Sequence, residues 1–170
     1  ALAAADGDER LNVLLVISDD LRPELGAYGS TAARTPQLDA FAAQGVRFDA
    51  AYAAQALCGP SRASLLTGRL TTSLGYFSHA DPAEERLLLR REHIMTRHFA
   101  DAGFEVLGTS KVAHHVANHD VVLDKYHKLP VISADQQCGN SVVCEDGAEA
   151  GQLTDAKALA WAMRQLDRLA

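Results

Sequence analysis

The chain contains 170 residues, of which 48% are hydrophobic, and it carries a formal net charge of −6. This size and apolar content predict one globular domain with its own core and exclude a disordered tail. A net negative charge without a cluster of Lys and Arg excludes a phosphate-tracking surface, so we expect no nucleic acid partner. No run reaches the roughly 18 apolar residues that a membrane-spanning helix needs, so we expect no membrane span.

The beginning of the chain, residues 1–10, is rich in alanine. It is similar to the small-residue end of a secretory signal, although a plain alanine-rich tail explains it equally simply. We expect this stretch to be the N-terminal tail of an exported protein, which is periplasmic, secreted or lysosomal depending on its source.

The first predicted element is a strand at residues 11–17, an apolar run that ends at Asp19 and Asp20. Such a run is typical of a strand buried on both faces of a parallel sheet. Two adjacent carboxylates repel each other unless a cation lies between them, and open parallel sheets bind ligands at the carboxyl ends of their strands. A turn or helix cap is the simpler interpretation of the pair, and a divalent metal site is the functional one.

A helix is predicted next, with Thr35 as its N-cap and Pro36 at its first position. Apolar residues follow at helical spacing, and Gly45 is placed to end the helix. Residues 46–52 are predicted to form a second strand.

A short helix is predicted at residues 60–66, starting just after Cys58 and ending at Gly68. A lone cysteine is most often a small buried hydrophobe. Here Arg62 follows Cys58 by four positions, so its guanidinium can reach back over one helical turn to the side chain at position 58.

A further helix ends at Gly103, and a third buried strand is predicted at residues 104–107, which leads into Ser110 and Lys111. The alternation of strands and helices predicts an α/β fold with a mostly parallel sheet flanked by helices. Histidines follow at positions 114 and 115, close to the carboxyl end of this strand.

Periodicity fades over residues 113–152, which we expect to be an irregular insertion. Cys138 and Cys144 lie in this stretch and are candidates for a disulfide in an exported protein, or for free thiols in a reducing compartment. Thr154 is then expected to cap a last helix with an apolar face made by Leu159, Met163, Leu166 and Leu169.

The pattern Cys58-Gly59-Pro60-Ser61-Arg62, together with residues 12–29 and 35–39, resembles the formylglycine-dependent sulfatases of the alkaline-phosphatase-like superfamily, in particular their iduronate-2-sulfatase-like branch. The resemblance implies an alkaline-phosphatase-like α/β fold. It also implies that residues 11–170 are the N-terminal part of a larger catalytic domain, and that this part alone is inactive.

The resemblance also implies a set of site residues. Cys58 is oxidised to formylglycine by a formylglycine-generating enzyme, and Asp19, Asp20 and residue 58 bind Ca²⁺, or alternatively Mg²⁺. Arg62 stabilises the nucleophile, Lys111 binds the sulfate, and His114 orients or activates the aldehyde hydrate. His115 could take the place of His114, and Ser110 stands where the family has a glycine.

The activity implied by the resemblance is hydrolysis of a sulfuric ester on a sulfated saccharide, such as a glycosaminoglycan sugar. An aldehyde hydrate suits this reaction because one hydroxyl can attack sulfur and the other can re-form the aldehyde as sulfate leaves. Two alternatives stay open: a phosphonate or phosphate monoester hydrolase on the same scaffold, and a non-catalytic binding domain in which Cys58 is unmodified.

Overall fold

The computed structural model describes residues 11–19, 21–78, 81–127 and 154–169, which divide into two compact units, Ala1–Ala51 and Tyr52–Ala170. The first unit contains a 3₁₀ turn at Gly26–Tyr28 and helix α1 at Pro36–Gln44. The prediction for α1 is confirmed, since Pro36 is its first residue and Gly45 follows its last. Both signals are local, which explains why the sequence revealed them.

Thr35 precedes α1 but does not cap it with its side chain. Its hydroxyl donates to Oδ1 of Asp39 at 2.9 Å and accepts from the backbone N–H of Gly26 at 2.9 Å. Asp39 Oδ1 also accepts from the backbone N–H of Ala27 at 2.7 Å. A Cβ atom at position 26 would clash with the Asp39 carboxylate, so only glycine permits this close approach. These bonds join the 3₁₀ turn to α1.

The first two strands expected along the chain are not formed. Residues 11–17 and 46–52 have no regular structure, and their large apolar side chains are exposed. An apolar run fits a buried strand, but a strand also needs a neighbour to pair its backbone N–H and C=O groups. No pairing with either run occurs among the described residues, so the prediction of two buried strands here is wrong.

The second unit holds most of the helices and the described strands. Its helices are α2 (Cys58–Thr67), α3 (Thr71–Leu74), α4 (Pro82–Arg91), α5 (Met95–Asp101), α6 (His119–Val122) and α7 (Thr154–Leu169), with a 3₁₀ turn at Val116–Asn118. Strands β1 (Leu107–Thr109) and β2 (Lys125–His127) pair in parallel, with Leu107 opposite Lys125. No helix in the described part of the chain is long and apolar enough to cross a membrane.

Helix α2 begins at Cys58 itself, two residues earlier than predicted, because Leu57 rather than Gly59 has the extended backbone of an N-cap. Its end is as predicted. Gly68 follows the last helical residue with φ of 66°, and its N–H bonds the carbonyl oxygen of Ser64 at 2.9 Å. Glycine adopts this left-handed conformation without the steric cost of a Cβ atom.

The third predicted strand exists but is displaced toward the C-terminus, from residues 104–107 to Leu107–Thr109. Its parallel pairing agrees with the predicted α/β organisation, although the described sheet has only two short strands. The partner strand β2 lies inside residues 113–152, which we expected to be irregular. Residues 116–127 of that stretch are therefore largely regular, residues 113–115 have no regular structure, and residues 128–152 lie outside the described residues.

The core of this unit is formed by side chains from α2, α3, α4 and α6 and from the segments between them. Its buried apolar members are Ala63, Leu66, Leu74, Tyr76, Leu88, Leu89, Ile94, Ala113 and Val122. Helix α7 forms as expected, but Leu159 and Met163 on its predicted apolar face are 62% and 49% exposed. The apolar face that we inferred from spacing is therefore not a buried face at these two positions.

Candidate active site

Cys58 is half-buried at the first position of α2. Its Sγ atom lies 3.4 Å from Nδ1 of His114. The first backbone N–H groups of a helix point out of its N-terminus and favour an anion there. The structure thus brings together two of the predicted site residues, a side chain that can carry a nucleophile and an imidazole that can exchange a proton with it.

Arg62 lies one turn after Cys58 and is only 6% exposed. Its Nη1 atom donates to the backbone carbonyl oxygen of Lys111 and, at 3.1 Å, to that of Val112. A guanidinium holds several N–H donors in a fixed plane, so it can bind neighbouring carbonyl groups at once. Arg62 therefore anchors the segment that carries Lys111 and His114 to helix α2.

Residues 110–115, here called the histidine loop, follow β1 at its carboxyl end. Ser110 opens the loop with φ of 59°, in the left-handed region where a Cβ atom costs energy. The sequence marked this position, since a serine replaces the glycine that the family resemblance leads one to expect. The next residue, Lys111, is half-buried.

Two histidines close the loop, and their rings pack edge to face with centroids 4.6 Å apart. The sequence left open which of the two belongs to the site. In the structure it is His114 whose ring nitrogen contacts Cys58.

Glu85 is a residue of this region that the sequence analysis missed. It lies in α4 and is 1% exposed. Its Oε1 accepts from the backbone N–H of His114 at 3.0 Å, and its Oε2 accepts from the backbone N–H of His115 at 3.0 Å and from Nδ2 of Asn118 at 2.7 Å. The sequence does contain a signal for this residue. Glu85 precedes Leu88 and Leu89 by three and four positions, so it is an acidic residue on the apolar face of the helix.

A second link between α4 and the segment after the histidine loop is ionic. Arg86 makes two parallel contacts with Asp120, Nη1 to Oδ1 at 2.7 Å and Nη2 to Oδ2 at 2.5 Å, and Nη1 also donates to the carbonyl of Ala117 at 3.1 Å. Hydrogen bonding to the guanidinium holds the pKa of the Asp120 carboxyl below its ordinary value. Arg86 therefore ties α4 to the segment that follows the histidine loop.

His119 lies beneath the loop and is 1% exposed. Its Nε2 is 3.3 Å from the carbonyl oxygen of Ala113. Because a carbonyl can only accept, Nε2 carries the hydrogen in this contact. Burial lowers the pKa of His119 and so favours its neutral form.

The predicted metal ligands are divided between the two units. Asp19 is exposed in the first unit, Cys58 lies in the second, and Asp20 lies outside the described residues. Within the described ranges, no group of three or more His, Cys, Asp or Glu side chains could hold a metal ion. The donor set itself fits Ca²⁺ in kind, since carboxylate oxygens are the ligands that Ca²⁺ prefers, but it supplies fewer than the six to eight oxygens that Ca²⁺ takes.

The disulfide candidates Cys138 and Cys144 also lie outside the described residues, as does the expected tail at residues 1–10. The disulfide, the tail and the domain boundaries therefore stay predictions.

A comparison with protein families decides the relationship that the motif indicated. The family model described as Sulfatase matches residues 11–141. The chain belongs to the sulfatase family. Sulfatase membership implies an alkaline-phosphatase-like α/β fold, with which the parallel pair β1 and β2 and its flanking helices agree.

Curated sulfatases are also similar to this chain. Iduronate 2-sulfatase from Mus musculus is 39% identical over 117 residues, which are 66% of this chain and 20% of the relative. The Homo sapiens protein of the same name is 40% identical over 108 residues, 62% of this chain and 19% of the relative. N-acetylgalactosamine-6-sulfatase from Canis lupus familiaris is 36% identical over 129 residues, 69% of this chain and 25% of the relative.

This sulfatase chain thus spans a fifth to a quarter of the length of these relatives. No solved structure matches it.

Proposed function

We propose that the protein hydrolyses sulfate esters of a sulfated saccharide, using a formylglycine made from Cys58. The observation that carries this proposal is the contact between Cys58 at the start of α2 and Nδ1 of His114, in a chain of the sulfatase family. The relatives are named for sulfated iduronate and sulfated N-acetylgalactosamine, which supports a sugar sulfate as the substrate class.

One hydroxyl of the hydrated aldehyde at position 58 would attack sulfur and release the sugar alcohol. The other hydroxyl would then lose its proton, which re-forms the aldehyde as sulfate leaves, and addition of water would restore the hydrate. Nδ1 of His114 is close enough to hold or move a proton at the atom that replaces Sγ. Lys111 carries the positive charge that we assign to binding of the anionic sulfate group. Arg62 donates hydrogen bonds to the carbonyl oxygens of Lys111 and Val112, and so fixes the backbone at that lysine relative to helix α2.

Asp19, Asp20 and residue 58 are proposed to hold a divalent cation, Ca²⁺ or alternatively Mg²⁺, which stabilises negative charge on oxygen when it is bound. Further oxygen ligands must come from elsewhere in the protein. We also propose that a formylglycine-generating enzyme matures Cys58 and that the protein acts after export.

The proposal is tested by the mass and the activity of matured protein. Conversion of cysteine to formylglycine lowers the mass by about 18 Da. It also removes the thiol of residue 58, which would otherwise react with an alkylating reagent. We expect that mass change together with hydrolysis of an aryl sulfate by the full-length protein. Faster hydrolysis of an aryl phosphonate or phosphate would favour an esterase acting on phosphorus. An alkylated, unconverted Cys58 after maturation would favour a non-catalytic binding domain.

A further inference from the structure

We propose that Glu85 is a positioning residue for this reaction, whose buried carboxylate holds the histidine loop so that the His114 imidazole stays beside side chain 58. The proposal rests on the proposed function for its consequence in catalysis. Its structural part, the dependence of the contact between His114 and residue 58 on Glu85, stands on the geometry alone.

The first observation is that a carboxylate is buried where an apolar residue would be expected. Glu85 is 1% exposed and lies on the face of α4 that carries Leu88 and Leu89. Burial of a carboxylate is costly unless hydrogen bonds replace its water. A helix that needed only to pack its apolar face would have no use for an acidic residue at this position.

The second observation is where those hydrogen bonds go. The three donors are the backbone N–H groups of His114 and His115 and the side-chain amide of Asn118. All three belong to the segment that begins in the histidine loop. Because every partner is a donor, the site needs an acceptor at both oxygens, which a carboxylate provides and an amide does not.

The third observation connects this anchor to the reacting atoms. His114 gives its backbone N–H to Oε1 of Glu85 at 3.0 Å, while its Nδ1 lies 3.4 Å from Sγ of Cys58. One residue thus joins the buried carboxylate to the nucleophile position. Since the backbone of His114 sets the origin of its side chain, release of this anchor moves the imidazole.

The loop is held from two sides by buried charges of opposite sign. Glu85 from α4 binds its N–H groups, and Arg62 from α2 binds the carbonyl groups of Lys111 and Val112. Charge-assisted hydrogen bonds of this kind are stronger than those between neutral groups. The pair fixes the loop between the helix that carries residue 58 and the helix that carries Glu85.

The test uses the ring-¹⁵N resonance of His114 Nδ1 in unmatured protein. In protein that keeps Glu85, the substitution Cys58→Ala should shift this resonance. In protein that carries Glu85→Gln, the shift caused by Cys58→Ala should be less than half as large. Glu84→Gln is the matched control, because Glu84 is exposed and lies in the same turn of the helix. In this variant, Cys58→Ala should shift the resonance as much as it does in wild type. An undiminished shift in folded Glu85→Gln protein overturns the proposal.

In matured protein, Glu85→Gln should lower kcat by about tenfold or more while KM stays within about twofold, since a misplaced group costs rate more than binding. Glu85→Asp should recover part of kcat. If Glu85→Gln does not fold, hydrogen exchange of the wild-type protein decides: slow exchange at the His114 and His115 amides supports the anchor, and fast exchange refutes it. Full-length, matured wild-type protein that hydrolyses no sulfate ester refutes the proposed function. The resonance comparison would still show whether Glu85 positions His114.

Discussion

Nδ1 of His114 lies 3.4 Å from Sγ of Cys58, although 56 positions separate the two residues in the chain. Cys58 begins helix α2, and His114 lies in the histidine loop that follows strand β1. The contact depends on buried anchors on both sides of the loop, the Arg62 guanidinium and the Glu85 carboxylate. These relationships lead to four predictions.

The first prediction distinguishes the two adjacent histidines. His114→Ala should reduce kcat for an aryl sulfate by about 10²-fold or more, because it removes the group placed to move a proton at side chain 58. His115→Ala should reduce kcat far less, since Glu85 binds the backbone of His115, which the substitution keeps. Steady-state kinetics of the two matured variants would settle the assignment, and a larger loss in the His115 variant would reverse it.

The second prediction concerns the buried guanidinium. Arg62→Lys should lower the free energy of unfolding by about 1–3 kcal/mol, because an ammonium lacks the planar donor set that binds the carbonyls of Lys111 and Val112. Arg90→Lys, the same change at an exposed position of α4, is the matched control and should stay within about 0.5 kcal/mol of wild type. Urea unfolding of both variants gives the comparison. Equal stabilities would show that Arg62 does not anchor the loop.

The third prediction tests backbone strain at Ser110, whose φ is 59°. Ser110→Gly and Ser110→Ala both remove the hydroxyl group and differ only in the Cβ atom. The glycine variant should be more stable than the alanine variant by about 1 kcal/mol, because a Cβ atom crowds the left-handed conformation. At Ser73 in helix α3 the order should be reversed, since glycine is the poorer residue in a helix. Thermal or urea unfolding of the four variants measures both differences.

The fourth prediction concerns pH. Burial lowers the pKa of His119 below the 6.5 of an exposed histidine, so the unfolded chain binds more protons than the folded one between these two values. The stability that neutral His119 contributes is therefore present above pH 6.5 and is lost as the pH falls through its folded pKa. Unfolding free energies measured from neutral to mildly acidic pH should fall less steeply in His119→Gln than in wild type. Parallel curves would contradict this prediction.

Local signals in the sequence were sufficient for both ends of α1 and for the end of α2. Pro36 begins α1, and Gly45 and Gly68 end α1 and α2. Proline and glycine have this effect because each restricts or frees the backbone dihedral angles at its own position. The spacing of Cys58 and Arg62 likewise put the arginine one helical turn after the cysteine, although the predicted helix began only at residue 60. The family membership that the motif indicated also rests on residues that are neighbours in the chain.

Strands were harder to predict, because an apolar run does not determine what it pairs with. Residues 11–17 and 46–52 have the composition of buried strands and yet remain unpaired among the described residues, while β2 forms in a stretch that showed no pattern. Hydrogen bonds between strands join residues distant in sequence, so composition alone carries little information about them.

The sequence by itself determined the motif and the family. Only the tertiary structure decided that the ring nitrogen of His114 lies beside Cys58, and that Glu85 and Arg62 hold the loop between them. The physical reason is that these contacts join side chains and backbone groups 29 to 56 positions apart, so they exist only after α2, α4 and β1 have packed around one core.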